Sequence, residues 1–243
     1  MSLDVEPLLS VRGLVKRFGG FQALDGLNFD LLPGEILGLV GPNGSGKTTC
    51  INVISGIYPR DGGTVLVRGR SVDGLPPHRL VHLGINRTFQ VPRPFLSLTV
   101  RQNIELAIAY GRLGTGSMDA EALLDRLGLA ALAGRPAAEL NSAQQKMLDL
   151  ARALATGPSV LLIDELAAGL NPSELQRVAD RLRELARSGI ALLVVEHLMG
   201  FIHQVTDRVI VMNAGREIFE GVLAGAFKDR QVVEVFLGAE DAL

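Results

Sequence analysis

Apolar positions along the chain fall into short runs broken by glycine and proline, with stretches of helical periodicity between them. Residues 36–40, 160–163 and 190–196 read as buried strands. Ahead of them, residues 8–18 suggest strand, turn and strand, and residues 27–32 a strand ended by Pro33-Gly34. Residues 64–67 form a further strand, entered through Asp61-Gly62-Gly63 and left through Arg68-Gly69-Arg70. A short helix after Pro76-Pro77 runs to His82, and a strand from Gly84 ends at Gln90. Val91-Pro92-Arg93-Pro94 then breaks the pattern, because its prolines remove donors and fix φ.

Helical periodicity takes over from Thr99, an N-cap candidate, to Tyr110 and again over residues 118–129, with residues 111–117 as a glycine-rich linker. Residues 95–140 thus read as a helical insert within a core formed by 1–94 and 141–243. Asn141, with Gln144 three residues on, opens a helix whose apolar face is Leu148, Ala151 and Leu154. Asn171-Pro172-Ser173 opens another that runs to about Arg187 and ends at Gly189. The tail reads as a strand at 208–212, a turn at 213–215, a strand to Phe219 and a helix at 231–237.

One strand-to-helix junction carries recognisable chemistry. After strand 36–40, Gly41-Pro42-Asn43-Gly44-Ser45-Gly46-Lys47-Thr48 fits G-x-x-x-x-G-K-[ST] and leads through Thr49 into a helix over 48–55. The glycines allow turns that aim successive N–H groups and the helix N-terminus at one anion. Lys47 adds positive charge for the outer phosphates, and the Thr48 hydroxyl suits a hydrated Mg²⁺ that bridges them. Asp164-Glu165 stands where strand 160–163 ends, where α/β sheets place their chemistry, and could hold Mg²⁺ through Asp164 and polarise a water through Glu165; the alternative is a pair of solvated turn carboxylates. Gln90, a neutral amide at a strand end before a stiff loop, suits a ligand-sensing switch. His197 could meet a γ-phosphate or be merely structural, and Phe18, before Gly19-Gly20, could stack on a base or belong to the core. The helix N-terminus at Asn141-Ser142-Ala143-Gln144 can serve a phosphate that arrives from outside.

Composition narrows the classes. At 243 residues and 47% hydrophobic content the chain has length for one or two domains and material for a sizeable core. Lys plus Arg (24) against Asp plus Glu (26) leaves −2 with no basic block, which argues against a nucleic-acid partner. Cys50 is the only cysteine and is expected to be buried rather than redox-active. Residues 1–9 carry Asp4 and Glu6 and do not read as a signal peptide, and the apolar runs are too short to span a bilayer. A cytoplasmic protein, reaching a membrane only through a partner, is expected.

In their order, these elements resemble the ATP-binding subunit of an ABC transporter over essentially the entire chain. Residues 41–48 match Walker A, Gln90 the Q-loop, Leu140-Asn-Ser-Ala-Gln144 the signature, residues 160–165 Walker B, Ala168-Gly-Leu-Asn171 the D-loop and His197 the switch histidine. Phe18 falls at the family's base-stacking position. Gly84-Ile-Asn-Arg-Thr-Phe-Gln90, Ala167-Ala-Gly-Leu-Asn-Pro172, Val195-Glu-His197 and Val233-Glu-Val-Phe-Leu-Gly238 look closer still to branched-chain amino acid importer ATPases of the LivG type.

The resemblance implies an α/β fold: a P-loop NTPase core with a mostly parallel sheet, an N-terminal antiparallel β region and a helical insert facing a permease. It implies ATP and Mg²⁺ as cofactors, with Glu165, His197 and Gln90 catalytic, Thr48, Gln90 and Asp164 on the metal, and ATP sandwiched between Walker A of one subunit and the signature of another. Implied partners are a second ATP-binding subunit, like or unlike, membrane permeases and, indirectly, a periplasmic binding protein, with the chain peripheral on the inner face of the membrane. Asn141-Ser142-Ala143 departs from the usual Ser-Gly-Gly or Ser-Tyr-Gly, Leu166 replaces the usual proline, and the insert is shorter than in LivG-like subunits. An export or extraction ATPase of compact size, or a regulatory subunit that hydrolyses weakly because of its altered signature, are the competing readings.

Overall fold

The computed structural model describes residues 5–111 and 119–240. The hairpin of β1 (Leu9–Phe18) and β2 (Phe21–Leu31) turns at Gly19-Gly20, and β3 (Ile36–Val40) runs through the glycine-rich turn into α1 (Lys47–Ile54). The chain continues through β4 (Gly62–Val67), β5 (Arg70–Ser71), α2 (Pro77–His82) and β6 (Ile85–Arg87). Then come α3 (Val100–Ala109), α4 (Ala120–Arg126), the 3₁₀ turns Ala130–Leu132 and Ala137–Glu139, and α5 (Ser142–Ala155). The remainder alternates: β7 (Val160–Asp164), α6 (Pro172–Arg187), β8 (Ala191–Val195), α7 (Met199–Val205), β9 (Arg208–Asn213), β10 (Arg216–Gly221), α8 (Leu223–Ala226) and α9 (Arg230–Glu240).

Two sheets result. The first is antiparallel, in the order β2-β1-β4-β5; the second, β10-β9-β3-β8-β7-β6, is parallel from β9 to β6, with β10 antiparallel at its edge. Every residue of β3, β7 and β8 is buried, so alternate side chains feed two separate cores. Leu37, Leu39, Leu162 and Leu193 pack with α1 and the antiparallel sheet; Ile36, Val40, Leu161, Ile163 and Val194 pack with the side chains of α3 to α6. That double burial makes these strands continuous apolar runs and holds their C-terminal ends in one rigid row. This is the α/β fold with a mostly parallel sheet and an N-terminal antiparallel region that the sequence implies.

The differences are local. Residues 8–18 are one strand, not strand, turn and strand: Gly13, at φ 56°, makes an irregularity where the register shifts between Val11 and Leu14, and β1 continues past it. The second strand begins at Phe21, six residues before the apolar run suggests, because polar Gln22 and Asp25 occupy its half-exposed positions. The helices α7 and α8 and the short β5 have too few residues to show a period. Of the 111–117 linker only Gly111 lies within the described residues.

The first sheet depends on a close backbone crossing. Gly63 sits at φ 78°, and a Cβ on it would overlap the carbonyl oxygens of Gly13 and Arg12; Gly69, at φ 72°, has nothing within 4 Å of such a Cβ. A left-handed backbone alone costs an L-residue about 1–2 kcal/mol, and forced overlap adds about 1–3 kcal/mol. Gly63→Ala is therefore expected to lower unfolding free energy by about 3 kcal/mol, and Gly69→Ala by only about 1 kcal/mol. Urea denaturation of both variants checks this; equal losses would show that the crossing is not the constraint.

Candidate active site

Four parallel strands end side by side, and each delivers one group to the same edge: the glycine-rich turn after β3, Glu165 after β7, His197 after β8 and Gln90 beyond β6. They share a cleft of about 290 Å³ with Phe18, Asn43, Gly44, Gly46, Lys47, Thr48 and Thr49, and with Phe21, which the sequence reading passed over. A larger cleft of about 590 Å³ between α1, β4 and α2 is lined mainly by apolar side chains, with Arg60 and Asp61 among them. The smaller cleft instead gathers an ammonium, a hydroxyl, an amide, a carboxylate and an imidazole from Lys47, Thr48, Gln90, Glu165 and His197.

The turn is built to hold an anion. A Cβ on Gly41 would overlap the carbonyl oxygen of Met212, and one on Gly46 would press on Ala23 O, so both positions are fixed by packing against other strands. α1 starts at Lys47 with no side-chain cap, which leaves its first N–H groups for a ligand. Pro42 and Ser45 belong to the scaffold: Ser45 is buried, and the Lys47 ammonium donates to Gly41 O at 2.8 Å and Pro42 O at 2.9 Å. Burial pushes the Lys47 pKa down while the nearby carboxylates Glu165 and Asp164 oppose that shift. An anionic oxygen in the cradle would offer this ammonium a stronger acceptor than the loop's own carbonyls.

Around Glu165 the geometry is tight. Its backbone is left-handed at φ 50°, Gln90 Nε2 donates to its Oε2 at 2.7 Å, and His197 Nε2 lies 2.8 Å from its Oε1. An ionised carboxylate only accepts, so the imidazole donates here. Asp164 is 2% exposed and its Oδ2 accepts from Arg87 at 3.2 Å, whereas its buried Oδ1 has no hydrogen-bond partner. Burial raises the Asp164 pKa, and the Arg87 guanidinium opposes it most. Arg87 is itself fixed by Asn52 Oδ1 at 2.6 Å and Ser55 Oγ at 3.1 Å. Its place one strand over from Asp164 is invisible in the sequence.

Phe18 closes the cleft's outer end, 43% exposed, edge-on to Tyr58 at 5.3 Å with the Lys16 ammonium 5.2 Å from its ring centre. Asn141, Ser142, Ala143 and Gln144 are not brought to this cleft. Asn141 Oδ1 accepts from Gln144 N at 2.9 Å and Gln144 Oε1 from Asn141 N at 3.0 Å, the expected capping box, and Asn141, Ala143 and Gln144 line a separate hollow with Met147 and Arg177. Cys50 is fully buried, and burial pushes its thiol up to about 12, which removes it from redox chemistry. No helix among the described residues is long and apolar enough to cross a membrane.

A P-loop at a parallel sheet edge, with an acidic pair, a glutamine and a histidine converging on it, defines a nucleoside-triphosphatase of the ABC type, and the chain belongs to the ABC transporter family, whose description matches residues 24–168. It is an ATPase subunit that binds ATP. Among individual relatives, the high-affinity branched-chain amino acid transport ATP-binding protein LivG of Escherichia coli (strain K12) is 38% identical over 96% of this chain and 98% of its own length. The ADP conformation of MJ1267, an ATP-binding cassette of an ABC transporter, is 33% identical with a TM-score of 0.85, covering 96% of this chain and 99% of that one. A dimeric post-hydrolysis state of the cassette MJ0796 bound to ADP and Pi is 25% identical with a TM-score of 0.79, covering 88% and 98%.

A buried carboxylate beside this edge has a measurable consequence. Glu196 is 2% exposed and accepts from Ala167 N at 2.6 Å. Burial pushes its pKa from 4.5 up to about 7, against the Lys146 ammonium of α5 and the N–H groups of Ala167 and His197, with Glu165 adding repulsion. The folded chain thus keeps a proton that the unfolded chain loses, and stability from this group is full below pH 4.5 and falls as pH rises to about 7. Glu196→Gln is expected to flatten that slope, matching wild type near pH 4 and exceeding it at pH 8 by up to about 3 kcal/mol. Parallel urea-stability profiles for the two proteins would contradict this.

Proposed function

We propose that the chain is the ATP-hydrolysing subunit of an importer for branched-chain or related amino acids. The observation that carries this reading is the convergence of Lys47, Thr48, Gln90, Glu165 and His197 on one cleft, in a chain alike over nearly its full length to a branched-chain transport ATPase. The free N–H groups of the glycine-rich turn and of the first turn of α1, with the Lys47 ammonium, hold the β- and γ-phosphates, and Phe18 receives the base. The unpartnered Oδ1 of Asp164, the Thr48 hydroxyl and Gln90 fit Mg²⁺, which takes few protein ligands when phosphates supply the rest. Bound there, the ion would supply positive charge against the charge developing on the transferred phosphoryl group. Glu165 polarises the attacking water, and His197 and Gln90 orient its carboxylate.

The helix N-terminus at Asn141-Ser142-Ala143-Gln144 lies outside the chain's own cleft, which supports its use on ATP held by a second ATP-binding subunit, like or unlike. Closure of that sandwich drives the permease and hydrolysis reopens it. Val91, Phe95, Leu96 and Tyr110 are 70%, 48%, 53% and 75% exposed, and these apolar groups around the irregular loop and α3 support a permease docking face. The core is assigned to residues 1–94 and 141–243 and the permease-facing insert to 95–140. The chain then sits peripherally on the inner face of the membrane, with a periplasmic binding protein feeding the permease.

Reconstitution in proteoliposomes with branched-chain amino acid permease subunits, with the binding protein outside the vesicles, tests this. ATP inside the vesicles is expected to drive leucine uptake with the wild-type chain, and Lys47→Ala to abolish both ATP binding and uptake. Uptake that needs no nucleotide, efflux in place of uptake, or unchanged ATP affinity in Lys47→Ala would contradict the reading.

A further inference from the structure

We propose that Lys146 is a positioning residue for ATP hydrolysis: its ammonium holds the turn after β7 in the shape that aims Glu165 and ties that turn to α5. Lys146 lies on the second turn of α5, 7% exposed, and donates to Glu165 O at 3.1 Å, Leu166 O at 3.1 Å and Ala168 O at 2.6 Å. No backbone N–H among the described residues reaches these three carbonyls. They converge because Glu165 takes φ 50°, a backbone conformation unfavourable for a residue with a Cβ, and the chain doubles back. Leu166 O is buried and the other two oxygens crowd toward it, so without a donor between them the turn would not hold that conformation; one ammonium with three hydrogens serves all three. The buried Glu196 side chain accepts from the N–H of Ala167, so the turn is gripped through its carbonyl acceptors by Lys146 and through one donor by Glu196.

The same helix grips the segment carrying Gln90. Asp149 Oδ2 accepts from Phe89 N at 2.8 Å, Arg152 Nη1 donates to Arg93 O at 2.6 Å, and the Arg152 guanidinium stands 5.0 Å from the Phe95 ring centre. From its N-terminus at Asn141, α5 therefore contacts in succession the backbone of Glu165 and both flanks of Gln90. A displacement of that N-terminus is passed to the base and to the amide bonded to it. Lys146 touches no reacting atom; it acts through Glu165. This inference rests on Glu165 being the group that polarises water, as proposed above.

Lys146→Met, Lys146→Arg and Glu165→Gln are compared with wild type in two measurements. In the first, amide hydrogen exchange on the nucleotide-free chain, Lys146→Met is expected to accelerate exchange in residues 166–170 at least about tenfold with residues 41–49 unchanged, and Lys146→Arg to stay near wild type. In the second, hydrolysis by the assembled transporter, Lys146→Met is expected to lower kcat about tenfold or more without changing the Kd for ATP, and Lys146→Arg to recover most of the loss. If Lys146→Met fails to fold, Lys146→Gln, whose shorter amide cannot span the three carbonyls, takes its place with the same expectations. Unchanged exchange at 166–170, or accelerated exchange with wild-type kcat, overturns the proposal. Normal hydrolysis by Glu165→Gln instead overturns the assignment of Glu165, so the two failures are distinct.

Discussion

The constraint from which the site follows is the fixed backbone of the glycine-rich turn between β3 and α1. Its course is fixed because Gly41 and Gly46 pack where no Cβ fits, against Met212 at the end of β9 and Ala23 on β2. The turn is thus held by both sheets at once. A preorganised set of donors loses no free energy to reordering when an anion arrives, and the uncapped start of α1 adds its aligned peptide dipoles.

Charge balance follows from that geometry. Lys47 and Arg87 are buried cations, and Asp164 and Glu165 are the carboxylates between them. Neither sign would be tolerated alone at this depth. Arg87 takes one oxygen of Asp164 and leaves the other unpartnered, which orients the carboxylate as well as neutralising it. Gln90 and His197 take one oxygen each of Glu165. Each carboxylate thereby has a defined orientation before any ligand binds.

Much of this was legible in the residues. The apolar runs at 160–163 and 190–195 and the Gly-Lys-Thr turn place strands, helix and cradle within a residue or two of where they lie, because double burial leaves a strand no polar face to blur the pattern. The capping box at Asn141 is readable because both partners lie within one turn of chain; Asn171 forms a second with Glu174, where the sequence shows only a helix start. Long-range pairing was not. Nothing in Arg87, Lys146 or Glu196 announces that each reaches a group on a neighbouring strand or turn, since those contacts span residues 87 to 164, 146 to 168 and 167 to 196. Gly13 was read as a turn for the same reason: an irregularity within a strand and a turn between strands share one local signal, and only the pairing of β1 with β2 on both sides of it separates them.

The central claim is that this cleft holds ATP through the cradle and activates water through Glu165, two tasks assigned to different groups. ATP affinity and phosphate release, measured on one preparation of Glu165→Gln assembled with its permease, test that division directly. The account predicts a Kd for ATP equal to wild type, because the cradle is untouched, with phosphate release lower by about 10²–10⁴-fold, the contribution of a positioned general base. Release at the wild-type rate, or loss of ATP binding together with release, would contradict it.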